Sequence, residues 1–265
     1  MERYDVSFKK KFGQNFLKDD AIVKKIVSLA NITKNDLVIE VGPGGAILTR
    51  ELAKVANRVL AYEIDKDLES ELNKKLADYL NVDILFKDFL NADIVSDISK
   101  YQYNNIYFIS NVPYYITTPI IMKLLNSNIK FKRISMMVQQ EVGERLSTGC
   151  GNKSYGAITV ILSYYYDVIN EFFVSRNEFI PVPNVDSVVI SLIEKKDKLY
   201  LKDKNFFEKI VRDSFQYKRK NIRNNLKGYN LNKVLDVLAK YGYDLTVRAE
   251  QLSLEIFVEL ANKLI

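Results

Sequence analysis

Apolar residues in this chain come in two rhythms. Short, nearly unbroken runs, LVIEV (37–41), RVLAYE (58–63), VDILF (82–86), NIYFIS (105–110) and ISMMVQQ (134–140), read as strands buried on both faces. Between them the rhythm changes to an apolar residue every three or four. AIVKKIVSLA (21–30) puts Ile22, Val23, Ile26, Val27 and Ala30 on one side of a helix. AILTRELAKVA (46–56), DKDLESELNKKLADYL (65–80) and a segment from about Pro119 to Leu125 behave the same way. Strands alternating with helices of this length predict a parallel sheet covered on both sides. Three later runs, AITVILSYYY (157–166), EFFVS (171–175) and SVVISLI (187–193), are dense in β-branched and aromatic residues and are predicted to finish the sheet as strands, antiparallel at its edge. After Glu194 only helices are expected: FFEKIVRDSF, LNKVLDVLAKYG and a last one from about Arg248.

The expected architecture is α/β with a smaller C-terminal all-helical domain, residues 1–194 and 195–265, joined at the charged segment Glu194 to Lys204. The 265 residues, 48% of them hydrophobic, can bury a core of that size, which excludes a disordered, collagen-like or disulfide-framed chain. Cys150 is the one cysteine, and there is no histidine. An internal disulfide is therefore impossible, the ligands of most zinc and iron sites are missing, and so is Ser-His or Cys-His nucleophilic machinery. Met1 to Lys11 lacks an apolar stretch and carries Glu2 and Asp5, unlike a secretory or transit peptide. No apolar run approaches ~18 residues. A soluble cytoplasmic protein with neither metal nor membrane partner is expected.

Charge is unevenly placed. Residues 195–265 hold 16 Lys and Arg against 9 Asp and Glu, whereas residues 1–194 hold 23 against 24, so the net +6 belongs to the C-terminal quarter. It is densest between Ser214 and Leu235, where Lys218, Arg219, Lys220, Arg223, Lys227 and Lys233 occur with no acidic residue among them. Such a stripe suits a polyphosphate partner, or else a solvated helix face.

Glu40-Val41-Gly42-Pro43-Gly44-Gly45 lies between the first long strand and a helix, where glycines let the backbone approach a ligand. Glu63 ends the next strand, about twenty residues on, and can accept both hydroxyls of a ribose. A dinucleotide fingerprint G-x-G-x-x-G fails here, because Ile47 stands at its third glycine and a proline follows the first. S-adenosylmethionine, which has no phosphate, fits better, and Asp88 after the third strand can meet the adenine edge. A tight turn with two helix-capping carboxylates is the structural alternative.

Ser110-Asn111-Val112-Pro113-Tyr114-Tyr115 follows the fourth strand. Methylating an exocyclic amine is hindered because its lone pair is delocalised into the purine ring. The Asn111 amide oxygen and the Val112 carbonyl can accept both amino hydrogens and so favour a pyramidal nitrogen. Pro113 fixes the turn, and Tyr114 offers a ring to an extruded base. The methylated nitrogen is acidic enough to lose its proton to water, so no histidine is required.

In this order the residues resemble the ribosomal RNA adenine N6,N6-dimethyltransferases, the KsgA-type enzymes of small-subunit RNA and their Erm-type relatives acting on large-subunit RNA. The resemblance spans nearly the whole chain, from Phe12-Gly13-Gln14-Asn15-Phe16-Leu17 through the segments above to Phe179-Ile180-Pro181-Val182-Pro183-Asn184-Val185-Asp186-Ser187. It implies a Rossmann-like S-adenosylmethionine-dependent sheet with Asn15, Leu17, Gly42, Glu63, Asp88 and Asn111 at the cofactor, and with Tyr114 and Phe179 holding the adenine. Phe215 to Leu226 is similar to the KsgA-type F-x-Q-R-R-K-T-L-R-N-x-L, with Tyr217-Lys218 in place of Gln-Arg and Asn221 in place of Thr. Arg248 to Ser253, followed by Phe257, fits the same branch.

The implied activity is N6-dimethylation of two adjacent adenosines near the 3′ end of small-subunit ribosomal RNA during ribosome biogenesis, by a monomer acting on an assembling subunit. Lys218, Arg219, Lys220 and Arg223 would grip the RNA backbone. Two alternatives stay open: the Erm-type reaction on large-subunit RNA, and a non-catalytic RNA-binding assembly factor on the same fold.

Overall fold

The computed structural model describes residues 16–265. A short strand, β1 (Phe16–Leu17), leads into helix α1 (Asp20–Leu29), which Asp19 caps by accepting the Ala21 N–H at 2.7 Å. Then come β2 (Leu37–Val41), α2 (Ile47–Val55), β3 (Arg58–Glu63), α3 (Glu69–Lys75), β4 (Val82–Phe86), α4 (Ile94–Ile98), β5 (Ile106–Asn111), α5 (Thr117–Asn126) and β6 (Phe131–Gln139). After them the order is α6 (Gln140–Ser147), α7 (Ala157–Tyr165), β7 (Tyr166–Val174), β8 (Phe179–Ile180), β9 (Ser187–Glu194), α8 (Lys204–Ser214), α9 (Ile222–Asn225), α10 (Leu231–Lys240) and α11 (Leu254–Leu264).

Among the described residues the main sheet has seven strands in the order β4-β3-β2-β5-β6-β9-β7, and the first five pair in parallel. The chain winds outward from β2 to β4 and then returns to β5 on the other side of β2. Ligands of such sheets bind where this reversal occurs, at the carboxyl ends of the strands. The β2–β5 ladder runs only from Leu37↔Ile106 to Ile39↔Phe108. Beyond it the Ser110 hydroxyl accepts the Val41 N–H at 3.2 Å and donates to the Val41 carbonyl at 2.6 Å. A side chain has replaced the ladder, and the two strands diverge at the point where a ligand would enter.

Strand β2 is buried at every position, and β3 and β5 at all but one. Val23, Ile26 and Val27 of α1 and Leu48, Leu52 and Ala53 of α2 pack with Val38, Val59, Tyr107 and Ile109 of the sheet. Burying each large aliphatic side chain stabilises the fold by about 1.5–3 kcal/mol, which anchors the strand ends that carry the site.

The chain forms two compact units, one running to Gln140 and including Asn170–Leu192, the other made of Glu141–Ile169 with Ile193–Ile265. The second unit thus takes in residues well before 195. Part of the reason is that AITVILSYYY is not a strand. Residues 157–165 form α7, with Thr159, Val160, Ile161, Leu162 and Tyr164 all buried. A helix enclosed on most faces loses its polar stripe, so its sequence matches that of a buried strand. Within this unit Tyr164 meets Phe207 at 5.2 Å and Phe215 meets Phe257 at 5.7 Å between ring centroids. No helix among the described residues is long and apolar enough to cross a membrane.

Candidate active site

A cavity of about 250 Å³ opens in the first unit at the carboxyl ends of β2 to β5. The loops after those strands wall it, and they bring together residues far apart in sequence. Leu17, Gly42, Glu63, Asp88, Asn111, Val112, Pro113 and Tyr114 all border it. Asn15 lies outside the described residues.

The glycine turn needs backbone that other residues resist. Gly42 has φ +73° and Gly44 φ +49°. A Cβ built on Gly42 would meet nothing within 4 Å, so the space above this backbone is open to a ligand. The Gly44 N–H donates to Glu63 Oε2 at 3.4 Å, and the Asp65 N–H donates to Glu63 Oε1 at 2.9 Å. Glu63 is 2% exposed, and burial raises its carboxyl above the usual range while those N–H groups pull the other way. Asp88 accepts the Leu90 N–H at 2.8 Å and the Asn91 side-chain amide at 2.7 Å. Each carboxylate oxygen keeps a second lone pair for a ligand, so these contacts orient the group without exhausting it.

Glu40, which had no role in the sequence reading, also borders the cavity. It is 1% exposed, and its Oε2 has no hydrogen-bond partner. Burial, with the Glu63 charge adding to it, pushes its carboxyl up to about 8. An orphaned carboxylate oxygen beside a cavity suits a cationic ligand. The signal was available in the sequence, since Glu40 is the only charged residue of a strand otherwise made of Leu, Val and Ile.

Asn111 ends β5, and the turn Tyr114–Ile116 follows Pro113. The Tyr114 hydroxyl and Ser187 Oγ lie 2.7 Å apart, which fixes the ring at the cavity. Burial raises the Tyr114 hydroxyl above its usual pKa, with Ser187 opposing, so the group stays a neutral phenol near pH 7. Phe179 is placed differently. It pairs with Leu17 between β1 and β8 and is 0% exposed within the core that includes Val38 and Tyr107. It does not border the cavity and has no open face for a base in this structure.

In the second unit Lys218, Arg219, Lys220 and Arg223 are exposed, and no described residue pairs with their charges. Other cations of this unit are paired: Lys209 with Asp213, Arg212 with Glu208 and Lys240 with Glu259. The loop carrying the unpaired group is itself ordered. Asn225 is 8% exposed, its Oδ1 accepts the Tyr217 N–H at 3.1 Å, and its Nδ2 donates to the Tyr217 and Lys220 carbonyls at 3.3 and 3.4 Å.

Known proteins resemble this chain over most or all of its length. The family pattern described as ribosomal RNA adenine dimethylase fits residues 6–265. The ribosomal RNA small subunit methyltransferase A of Ligilactobacillus salivarius is 41% identical over all of this chain and 93% of its own. That of Bacillus mycoides is equally similar, over 94% of its length. A dimethyladenosine transferase from Plasmodium falciparum superposes with a TM-score of 0.77 at 26% identity, covering 92% of this chain and 95% of the other. The 23S rRNA methyltransferase ErmE gives 0.73 at 27%, covering 94% and 99%. With the pattern matched from residue 6 to the last residue and relatives alike at 41% throughout, this chain belongs to the ribosomal RNA adenine dimethylases.

Proposed function

We propose that the chain dimethylates N6 of two adjacent adenosines near the 3′ end of small-subunit ribosomal RNA in the cytoplasm, as a monomer acting on an assembling subunit. The observation that carries this reading is the meeting of Asn111-Val112-Pro113-Tyr114 with Glu63 and Asp88 around one cavity. The small-subunit choice is supported by the full-length likeness at 41% identity to proteins named for that subunit, against 27% for ErmE.

S-adenosylmethionine would supply an electrophilic methyl on a sulfonium. Glu63 has the lone pairs to accept the ribose hydroxyls, Asp88 to meet the adenine edge, and Gly42 leaves room for close backbone approach. Leu17 contributes an apolar wall, and Asn15 is assigned to the same ligand. The carboxylates of Glu63 and Asp88 favour a cation, and a cation at Glu40 would draw off the proton that burial keeps there. Asn111 and the Val112 carbonyl accept the two amino hydrogens of the target, and Tyr114 stacks the extruded base on a ring fixed by Ser187. Phe179 would reach that base only after leaving its core position. No side chain need act as a base, because the methylated amine gives its proton to water. Rate comes mainly from holding nucleophile and methyl in line.

The methyltransferase work belongs in this reading to the sheet domain, residues 1–194, and RNA positioning to the helical part, residues 195–265, through Lys218, Arg219, Lys220 and Arg223. Incubation with labelled cofactor and purified small-subunit particles, then mapping of dimethyladenosine, tests it. Label confined to large-subunit RNA would replace it with the Erm-type reaction, and no label on either RNA would replace it with a binding factor.

A further inference from the structure

One exposed aromatic side chain at the cavity has no part in the scheme above. Tyr115 follows Tyr114 on the turn Tyr114–Ile116 and borders the same cavity, yet the two residues are placed oppositely. Tyr114 is partly buried with its hydroxyl at Ser187. Tyr115 is 60% exposed, and no described residue bonds its hydroxyl or stacks on its ring. Ile64, 47% exposed, borders the same opening. An exposed apolar side chain at a cavity adds little to folding and is available as a contact surface.

The substrate class supplies the contact. Flipping one adenosine breaks its stack with the next nucleotide, which must find another π face or stay exposed to water. The residues that border the cavity are assigned above to the cofactor and to one base, so the neighbouring nucleotide must find its contact at the edge. An exposed tyrosine at its rim is a sequence-tolerant platform of the kind that single-stranded nucleic acids use. We propose that Tyr115 stacks the nucleotide next to the target adenosine. This rests on the RNA-adenine reading above. It also gives the second adenosine a defined waiting position while the first is being methylated.

The test uses the full chain, S-adenosylhomocysteine and a small-subunit RNA in which the nucleotide beside the target adenosine is 2-aminopurine, whose emission is quenched by stacking. Wild type quenches the probe on binding, and Tyr115→Phe does the same. Tyr115→Ala loses the quench and raises the RNA KM about tenfold, the scale of one stacked base, with a smaller change in kcat. Its affinity for S-adenosylhomocysteine stays at the wild-type value. Tyr115→Leu, which keeps apolar bulk without a π face, gives the same loss of quench and covers the case in which alanine disturbs the turn. Tyr115→Ala and Tyr115→Leu with wild-type quench and KM overturn the proposal while methyl transfer by wild type leaves the parent reading standing. A wild type that transfers no methyl to unmodified RNA overturns both.

Discussion

At the cavity, acidic groups are enclosed: Glu40 and Glu63 are 1% and 2% exposed, Glu40 keeps its proton near pH 7 until a cation draws it off, and Glu63 takes hydrogen bonds from the Gly44 and Asp65 N–H groups. On the segment around residues 217–223, charge is positive and open: Lys218, Arg219, Lys220 and Arg223 are exposed and have no partner among the described residues. Burial makes each carboxylate specific for one ligand geometry and strengthens its field, because low-dielectric surroundings screen little. Exposure gives the cations reach along a phosphate backbone at a strength that salt can erase. One region is suited to chemistry on a defined molecule and the other to holding a long polyanion. The two should respond differently to mutation.

The largest separation is expected from Asn111→Ala. Removing one group that stabilises the reacting nitrogen lowers kcat by roughly 10²–10³, while RNA affinity in a filter-binding assay stays at wild type. Loss of RNA binding in step with activity would mean that the cavity and the basic loop are not separable functions. Next in size is the combined change of Lys218, Arg219 and Lys220 to Ala. RNA affinity falls by about 10- to 100-fold at low salt, and the slope of log K against log salt becomes shallower by roughly 2 to 3 if each cation meets one phosphate. Cofactor affinity does not move. Asn225→Ala is smaller and sharper. It keeps every cation but leaves the Tyr217 and Lys220 backbone groups without their partner, costing about 1–3 kcal/mol of stability. Reduced RNA affinity with an unchanged salt slope would show that placement of the loop, as well as its charge, matters.

The two regions also differed in how far the sequence disclosed them. Strands β2 and β3 matched their expected limits because a parallel strand buried on both faces leaves an unbroken apolar run between polar turns, and the half-buried edge strand β4 matched as well. Glu63, Asp88 and Asn111 were legible for the same reason, since strand ends in such a sheet point to one edge. Residues 157–165 were misread because enclosure removed the polar stripe by which a helix is recognised. Phe179 sits in the core because its pairing partner Leu17 draws it there, a contact between segments more than 160 residues apart that no local pattern reveals. The Asn225 knot was likewise invisible, for an Asn in a polar segment looks the same whether it faces water or three backbone groups.

Glu40→Gln is read in stability alone and gives the most direct view of the enclosed carboxyl. The carboxyl sits at about 8 in the folded chain against an ordinary 4.5. Between those pH values the folded protein keeps a proton that the unfolded chain has lost, so this group makes stability fall as pH rises, by up to about 1.4 kcal/mol per pH unit. Below about 4.5 both states hold the proton and above about 8 neither does, so the contribution is flat at both ends. Glutamine carries no such proton. Its stability relative to wild type, read by urea denaturation, should match at acid pH, climb through neutrality and level off above pH 8. A ligand cation lodged against Oε2 favours the ionised carboxylate and lowers its pKa. Saturating S-adenosylhomocysteine, which carries an ammonium group, should therefore flatten the wild-type slope and leave that of Glu40→Gln unchanged. Parallel curves with and without ligand would mean that the orphaned oxygen faces no cation, and the acidic lining would then owe its role to Glu63 and Asp88 alone.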